Sequence, residues 1–410
     1  MRVPVIAILV VSLITILADT YIYFYVRNRS RRGKRHTRIY AATAAVCWLF
    51  LIVAFCLPRR NGDSSILPVM WMLYAYLTVY ISKFIFLLVT AAAMVSRIWT
   101  KNKRHSTAGL IVALVLSLTV FFTLWWGTIW GRRKIQVTQY TMASPKIPKS
   151  FDGYRIVQFS DIHLGTWGND TTFVSRFVDS INAVKPDIIL FTGDIVNRNT
   201  SELKPFIHTL SRLHATDGVY GVLGNHDYGL YQEWDSENGR LENCRLLEQY
   251  QQQMGWEMLN NAHVFLTRGT DSIPLIGVEN WGEYPFGEYG RLDEAYPETA
   301  STNLNDIRFK ILMSHNPEHW RQVVVKSSNI DLTLTGHTHA MQMIFKIGSW
   351  RWSPSQLKYE EWAGDFHKNS LKGEPMTCYV NIGCGEVGLP YRIGAAPEIT
   401  VITLSSTAAK

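Results

Sequence analysis

The sequence predicts an all-α region of four membrane-spanning helices followed by a layered α/β domain. Three observations carry this expectation. Four apolar stretches fill the first third of the chain, at 4–26, 39–57, 67–96 and 108–130, and each reaches the about 20 residues needed to cross a bilayer as a helix. The charge balance reverses between the two parts. From residue 154 onward, short runs of β-branched and aromatic residues alternate with helical patterns, and five of these runs end in Asp, Asn or His.

The 410-residue chain carries a formal net charge of +8. Of its 41 basic and 33 acidic residues, 20 and two (Asp19 and Asp63) fall within 1–150, leaving 21 and 31 beyond. The positive charge therefore belongs to the membrane-spanning part, and no nucleic-acid partner is expected for the acidic remainder. The five cysteines include no CxxC pair and give no disulfide framework. The expected organisation is a four-span region over 1–134, a linker or edge strand over 135–150, and a soluble domain over 151–406.

Orientation follows from the loops. The segment 27–38 holds seven Lys/Arg and 97–104 holds four, against Arg2, Arg59, Arg60 and the trio Arg132, Arg133 and Lys134 on the other side. Positive-inside counting puts the two richer loops in the cytoplasm. The expected product is a multi-pass integral membrane protein with its soluble domain outside the cytoplasm. Asp19 and Lys83 fall inside spans, where an ionisable side chain is costly and tends to find a partner, so the two are expected to pair.

In the soluble part, YRIVQFSDIHLG ends a strand in Asp161 and His163, and KPDIILFTGDIVN ends in Asp194. GVYGVLGNHDY ends in Asn225, His226 and Asp227, FKILMSHNPEH in His315, and DLTLTGHTH in His337 and His339. CYVNIGCGE and PEITVITLS read as further strands, and 171–185 and 241–254 as helices. Singly these motifs are ordinary turns. Together, five strand ends presenting carboxylate, amide and imidazole groups point to a metal centre, because sites in such folds form at the carboxyl ends of strands. Oxygen and imidazole ligands without thiolate suit Mn, Fe or Zn.

The ordered set DIH, GDIVN, GNHD, SH and GHTH resembles the calcineurin-like metallophosphoesterase superfamily over about 154–405. The resemblance implies a four-layer α/β/β/α sandwich and a metal-dependent hydrolase that cleaves phosphoester bonds through a metal-bound hydroxide. It implies two divalent ions, manganese first, with iron, zinc or cobalt as alternatives. One would be held by Asp161, His163, Asp194 and His339, the other by Asp194, Asn225, His315 and His337, with Asp194 bridging. His226 would be the catalytic histidine, stabilising charge on the phosphoryl group and protonating the leaving oxygen. Two departures stand out. Asn197 occupies a position where many members carry an Asp that orients this histidine, leaving Asp227 or the backbone for that role. The pair Ala340 and Met341 follows GHTH, where the membrane-anchored branch often has Gly-Gly.

Two aromatic loops, 279–296 with Trp281 and 348–366, offer a rim for a lipid or sugar face or an interfacial belt. Trp281 and Arg392 are candidate substrate contacts. Asn169 and Asn199 lie in N-x-[ST] sequences. The expected partners are the bilayer and a phosphorylated lipid or envelope-type substrate. UDP-2,3-diacylglucosamine pyrophosphate cleavage is the alternative reaction. A non-catalytic phospholigand-binding scaffold is the alternative of a different class.

Overall fold

The computed structural model describes residues 5–29, 33–57, 65–100, 107–282, 287–297 and 308–407. The chain divides into two compact units. The first contains four helices, α1 (Val5–Arg29), α2 (Gly33–Cys56), α3 (Leu67–Thr100) and α4 (Thr107–Ile129). All four are long and apolar enough to cross a membrane. They turn large apolar side chains outward, among them Leu13 and Leu17 on α1 and Leu116, Leu118 and Phe122 on α4, which suits a hydrocarbon surround rather than water. The expected Asp19–Lys83 pair is present, with Nζ 2.8 Å from Oδ1. Asp19 also accepts hydrogen bonds from Tyr40 Oη at 2.6 Å, Tyr80 Oη at 2.6 Å and Trp48 Nε1 at 3.1 Å. One carboxylate thus gathers donors from α2 and α3. The basic residues Arg2, Arg31, Arg32, Arg59, Arg60, Lys101, Lys103 and Arg104, which enter the orientation argument, lie outside the described residues.

The second unit is built on two six-stranded sheets. Its strands are β1 (Gln136–Ala143), β2 (Arg155–Phe159), β3 (Ile188–Phe191), β4 (Val219–Gly221), β5 (Trp256–Met258), β6 (Ala262–Arg268) and β7 (Asp271–Gly277). They continue with β8 (Ile311–Met313), β9 (Leu332–Thr335), β10 (Phe345–Ile347), β11 (Trp350–Trp352), β12 (Gly364–Asn369), β13 (Pro375–Val380) and β14 (Glu398–Ser405). The first sheet runs β1-β14-β2-β3-β4-β5 and the second β12-β13-β9-β8-β7-β6; β10 and β11 form a separate hairpin. The segment read as a linker or edge strand contains β1, paired in parallel with β14 from Gln136↔Glu398 to Ala143↔Ser405.

The layering follows from side-chain alternation. Ile156, Ile188 and Leu190 of the first sheet meet Ile273, Leu275, Ile311, Met313, Leu332 and Leu334 of the second in a buried core between the sheets. Their neighbours Val157, Phe159, Ile189 and Phe191 face the other way, onto Phe173, Val174, Phe177, Val178 and Ile181 of α5 (Thr172–Ala183). On the far side of the second sheet, Ile276, Leu312, Cys378 and Val380 pack on Trp320 and Val324, from a helical segment with a π turn at Trp320–Val324. The result is the four-layer sandwich expected from the sequence. The central strands β2, β3, β4, β8 and β9 all end beside one another, and the loops after them carry the chemistry.

Candidate metal centre

The residues singled out at five strand ends converge. His163 Nε2 lies 3.1 Å from His339 Nε2, which lies 3.1 Å from Asp161 Oδ1. His315 Nε2 lies 3.2 Å from His337 Nδ1 and 3.2 Å from Asn225 Oδ1. Asp194 Oδ2 stands between the two groups, 3.6 Å from His163 Nε2 and 3.1 Å from His315 Nε2. Asp161–His163–His339, His163–Asp194–His226 and Asp194–His315–His337 each bring three donor atoms within 4.8 Å of one another.

Backbone strain shapes these loops. Asp161, His163, Asp194, His337 and His339 all have positive φ, from 47° to 72°, a conformation that costs a non-glycine residue about 1–2 kcal/mol. It persists because the loops are over-determined: Asp161 N donates to Gly193 O at 2.9 Å, and Asp194 N to Asp227 Oδ2 at 2.9 Å. Strain of this kind gathers at functional sites. Ala340 and Met341 also sit at φ 49° and 45°, so the backbone shape that glycine favours is kept here without glycine. Elsewhere glycine is required by space. A Cβ on Gly224 would collide with Asp194 Oδ1, and one on Gly336 with Ser160 and Asp161.

The electrostatics suit cations. Burial works to raise the Asp161 and Asp194 carboxyls, but the surrounding imidazoles outweigh it, and both lie well below the usual carboxylate range. Burial pushes His337 down to about 3, helped by His315, and also lowers His163. Burial likewise works to lower His315, but Asp194, with Asp161 and the Thr192 carbonyl behind it, lifts it to about 9. Two pairs of imidazole nitrogens therefore confront each other among buried carboxylates, and His163 Nδ1 is buried without a hydrogen-bond partner. Imidazoles and carboxylates crowded in this way are a fitting ligand set for divalent ions, which would replace the proton that His315 holds.

His226 is held differently from its neighbours. Its Nδ1 lies 2.6 Å from the backbone carbonyl oxygen of Asn197, its amide donates to Asp194 Oδ1 at 2.8 Å, and its ring stacks on Tyr231 at 4.0 Å. Burial lowers it to about 4 against the pull of Asp194. Asp227, expected among the catalytic residues, is a correction. Its Oδ2 accepts from the amides of Asp194 and Gly224 and its Oδ1 from those of Ile195 and Val196. It braces the loop that presents Asp194 and does not orient His226.

Two further corrections concern the candidate substrate contacts. Arg392 is fully buried, with its guanidinium donating to the carbonyls of Gly385, Ala395 and Ile382 and one nitrogen 3.4 Å from His339 Nδ1. It is a loop anchor and offers no open face to a phosphate. Trp281 stacks on His319 at 5.4 Å and lines a separate cavity of about 450 Å³ that includes none of the candidate metal ligands. Residues 283–286 of its loop lie outside the described residues.

Three neighbours carry no signature in the sequence. Tyr231 accepts from Asn225 Nδ2 at 2.7 Å. Tyr359 Oη is 3.1 Å from His337 Nε2. Glu202, half-buried, accepts from the amides of Asn197 at 2.6 Å and Arg198 at 3.3 Å. Tyr231 and Tyr359 lie in loops and Glu202 in the short 3-10 helix Thr200–Phe206, where neither an amphipathic period nor a strand end marks them.

The geometry gives a candidate metal centre on a chain with four helices able to span a membrane, and comparison with known proteins gives the family. Residues 154–341 match the calcineurin-like phosphoesterase family, and residues 1–132 match the family described as the probable calcineurin-like phosphoesterase transmembrane domain. "Uncharacterized metallophosphoesterase YkuE" of Bacillus subtilis is 32% identical over 67% of this chain and 86% of its own length. "Transmembrane protein with metallophosphoesterase domain" of Danio rerio is 30% identical over 73% of this chain and 63% of its own. "UDP-2,3-diacylglucosamine pyrophosphatase LpxG" of Chlamydia trachomatis is 26% identical over 58% of this chain and 79% of its own. The chain belongs to the calcineurin-like phosphoesterases, as a membrane protein with an N-terminal transmembrane domain. It is a metal-dependent hydrolase acting on phosphoester bonds.

Proposed function

We propose that this protein hydrolyses a phosphoester or pyrophosphate bond on a lipid-linked or envelope-type substrate with two divalent ions, manganese by preference. Asp161, His163, Asp194 and His339 would hold one ion, and Asp194, Asn225, His315 and His337 the other. The observation that carries this reading is Asp194 Oδ2, 3.6 Å from His163 Nε2 and 3.1 Å from His315 Nε2, where a two-oxygen carboxylate can serve both sets. When bound, such ions polarise the phosphoryl oxygens and lower the pKa of a water at the site.

The remaining steps belong to the side chains. With its Nδ1–H on the Asn197 carbonyl, His226 directs Nε2 into the site. The free protein keeps it neutral; the negative charge of an arriving phosphate raises its proton affinity. Nε2 then takes up a proton from solvent and passes it to the leaving oxygen, which returns the imidazole to its neutral form. Asp227 holds the Asp194–Val196 turn still by accepting from its three backbone amides and from that of Gly224, so Asp194 keeps its position as charge moves.

Asp194→Asn tests the reading. Turnover of p-nitrophenyl phosphate and of its diester should fall by about 10³-fold or more, with metal content falling in parallel. Unchanged turnover would overturn the assignment.

The loop charge count, seven and four basic residues on one side, supports an extracytoplasmic catalytic domain. A second reading, cleavage of the UDP-2,3-diacylglucosamine pyrophosphate, is favoured by the Chlamydia trachomatis relative. It requires the domain to meet nucleotide in the cytoplasm. A C-terminal reporter active on only one side of the membrane separates the two.

A further inference from the structure

The strongest unexplained feature of the catalytic unit is the hairpin β10–β11. It pairs Phe345 with Trp352, Lys346 with Arg351 and Ile347 with Trp350 around a turn at Gly348 and Ser349. Cross-strand partners share a face, so one face is Phe345, Ile347, Trp350 and Trp352, and the other is Lys346 and Arg351. The apolar face is not covered: Phe345 is 43% exposed, Ile347 75% and Trp350 54%, and Leu357 just beyond is 82% exposed. A two-stranded hairpin that leaves its apolar face in water gains little from it, and an aromatic and aliphatic cluster of this kind marks a contact surface.

Charge identifies the occupant. No Asp or Glu occurs between Asp331 and Glu360, while Lys346, Arg351 and Lys358 lie within that stretch. This acid-free basic segment belongs to a part of the chain that is otherwise acidic. Aromatic and aliphatic side chains backed by cations fit the headgroup boundary of an anionic bilayer. The four helices of the same chain keep a bilayer at hand at all times.

The hairpin is also coupled to the metal centre. It begins three residues after the His339–Gln342 turn. Its end is fastened back by Ser353 Oγ donating to Ala340 O at 2.6 Å, and Tyr359 beyond it reaches His337 Nε2 at 3.1 Å. Three strand residues carry the tip roughly 10 Å from that stem.

We propose that the Phe345–Trp352 hairpin inserts its apolar face into the interface of an anionic lipid bilayer, so that the site acts on phosphoesters carried by membrane lipids. The second clause rests on the hydrolase reading given above; the first does not.

The test uses the full-length protein in vesicles of phosphatidylcholine and phosphatidylglycerol. An environment-sensitive fluorescent amino acid replaces Ile347, and quenching is read from nitroxide-labelled lipids and from aqueous iodide. Quenching by shallow nitroxides with protection from iodide is expected. Quenching by iodide alone overturns the proposal, and so does shielding from both, which would mean that protein, such as a second copy, covers the face. The double variant Ile347→Asp, Trp350→Asp then separates the two clauses. In the same vesicles doped with phosphatidic acid, turnover of that lipid should fall by about tenfold or more while p-nitrophenyl phosphate turnover stays within about twofold. Equal effects on both substrates overturn the lipid-substrate clause. If neither substrate is turned over by the unaltered protein, the hydrolase reading and the lipid-substrate clause fail together, while the quenching result still decides the hairpin.

Discussion

His226 Nδ1 lies 2.6 Å from the carbonyl oxygen of Asn197, so the backbone of that residue, and not its side chain, holds the imidazole. Asn197→Ala should therefore keep kcat within about threefold, whereas His226→Ala should lower it by about 10²–10³-fold. Steady-state kinetics on p-nitrophenyl phosphate decide this. A large loss in Asn197→Ala would mean that the side chain, which donates from Nδ2 to the Glu386 carbonyl at 3.2 Å, carries the orientation after all.

Glu202 holds that carbonyl in place from behind, through the amides of Asn197 and Arg198. Its removal should blur the position of His226 without touching substrate. Glu202→Ala should lower kcat by about tenfold with KM little changed, and Glu202→Gln should recover most of it because one amide oxygen still accepts. A matched rise in KM would argue for a general loosening of the fold instead.

Met341 adopts φ 45° while 41% exposed. Glycine has no left-handed penalty, though it costs more chain entropy. Met341→Gly should raise stability by about 0.5–1 kcal/mol, read as a higher unfolding midpoint. Ala340→Gly should give no such gain, because its methyl is buried against a cluster containing Tyr359 and Trp362.

His319 is buried, with Nδ1 2.9 Å from Ser314 Oγ, and desolvation takes it down to about 3. Its folded value lies below the unfolded value of about 6.5, so the unfolded chain takes up the proton first. The stability this neutral histidine allows is fully present above about 6.5 and is lost toward about 3, at about 1.4 kcal/mol per pH unit. Unfolding midpoints between about pH 7 and about pH 5 should fall more steeply for the natural chain than for His319→Gln. Identical slopes would remove His319 from the account.

The membrane helices and the strand-end ligands are legible in the sequence because each rests on a local pattern. An apolar run of span length has few alternatives, and a run such as LTLTGHTH marks both a strand and the ligand loop at its end. Side-chain orientation is less legible. Arg392 turns inward to three carbonyls because neighbouring chain segments, which its own stretch does not reveal, surround it. Asp227 misleads for a related reason: its partners are four backbone amides, and amides carry no side-chain signature. The short strands β5 and β10–β12 escape for want of a long alternating run, and in the sequence the hairpin is only an aromatic loop.

The Asp19 cluster reaches beyond the folded state, into the order in which the chain is made. Its donors arrive 21, 29, 61 and 64 residues after it. A lone carboxylate at the middle of a span costs about 2.5–3.5 kcal/mol on insertion. The first helix is therefore expected to settle fully into lipid only once Lys83 has left the ribosome. On that expectation the first three helices insert as one unit, and a nascent chain halted between the second and third would hold a carboxylate without its cation.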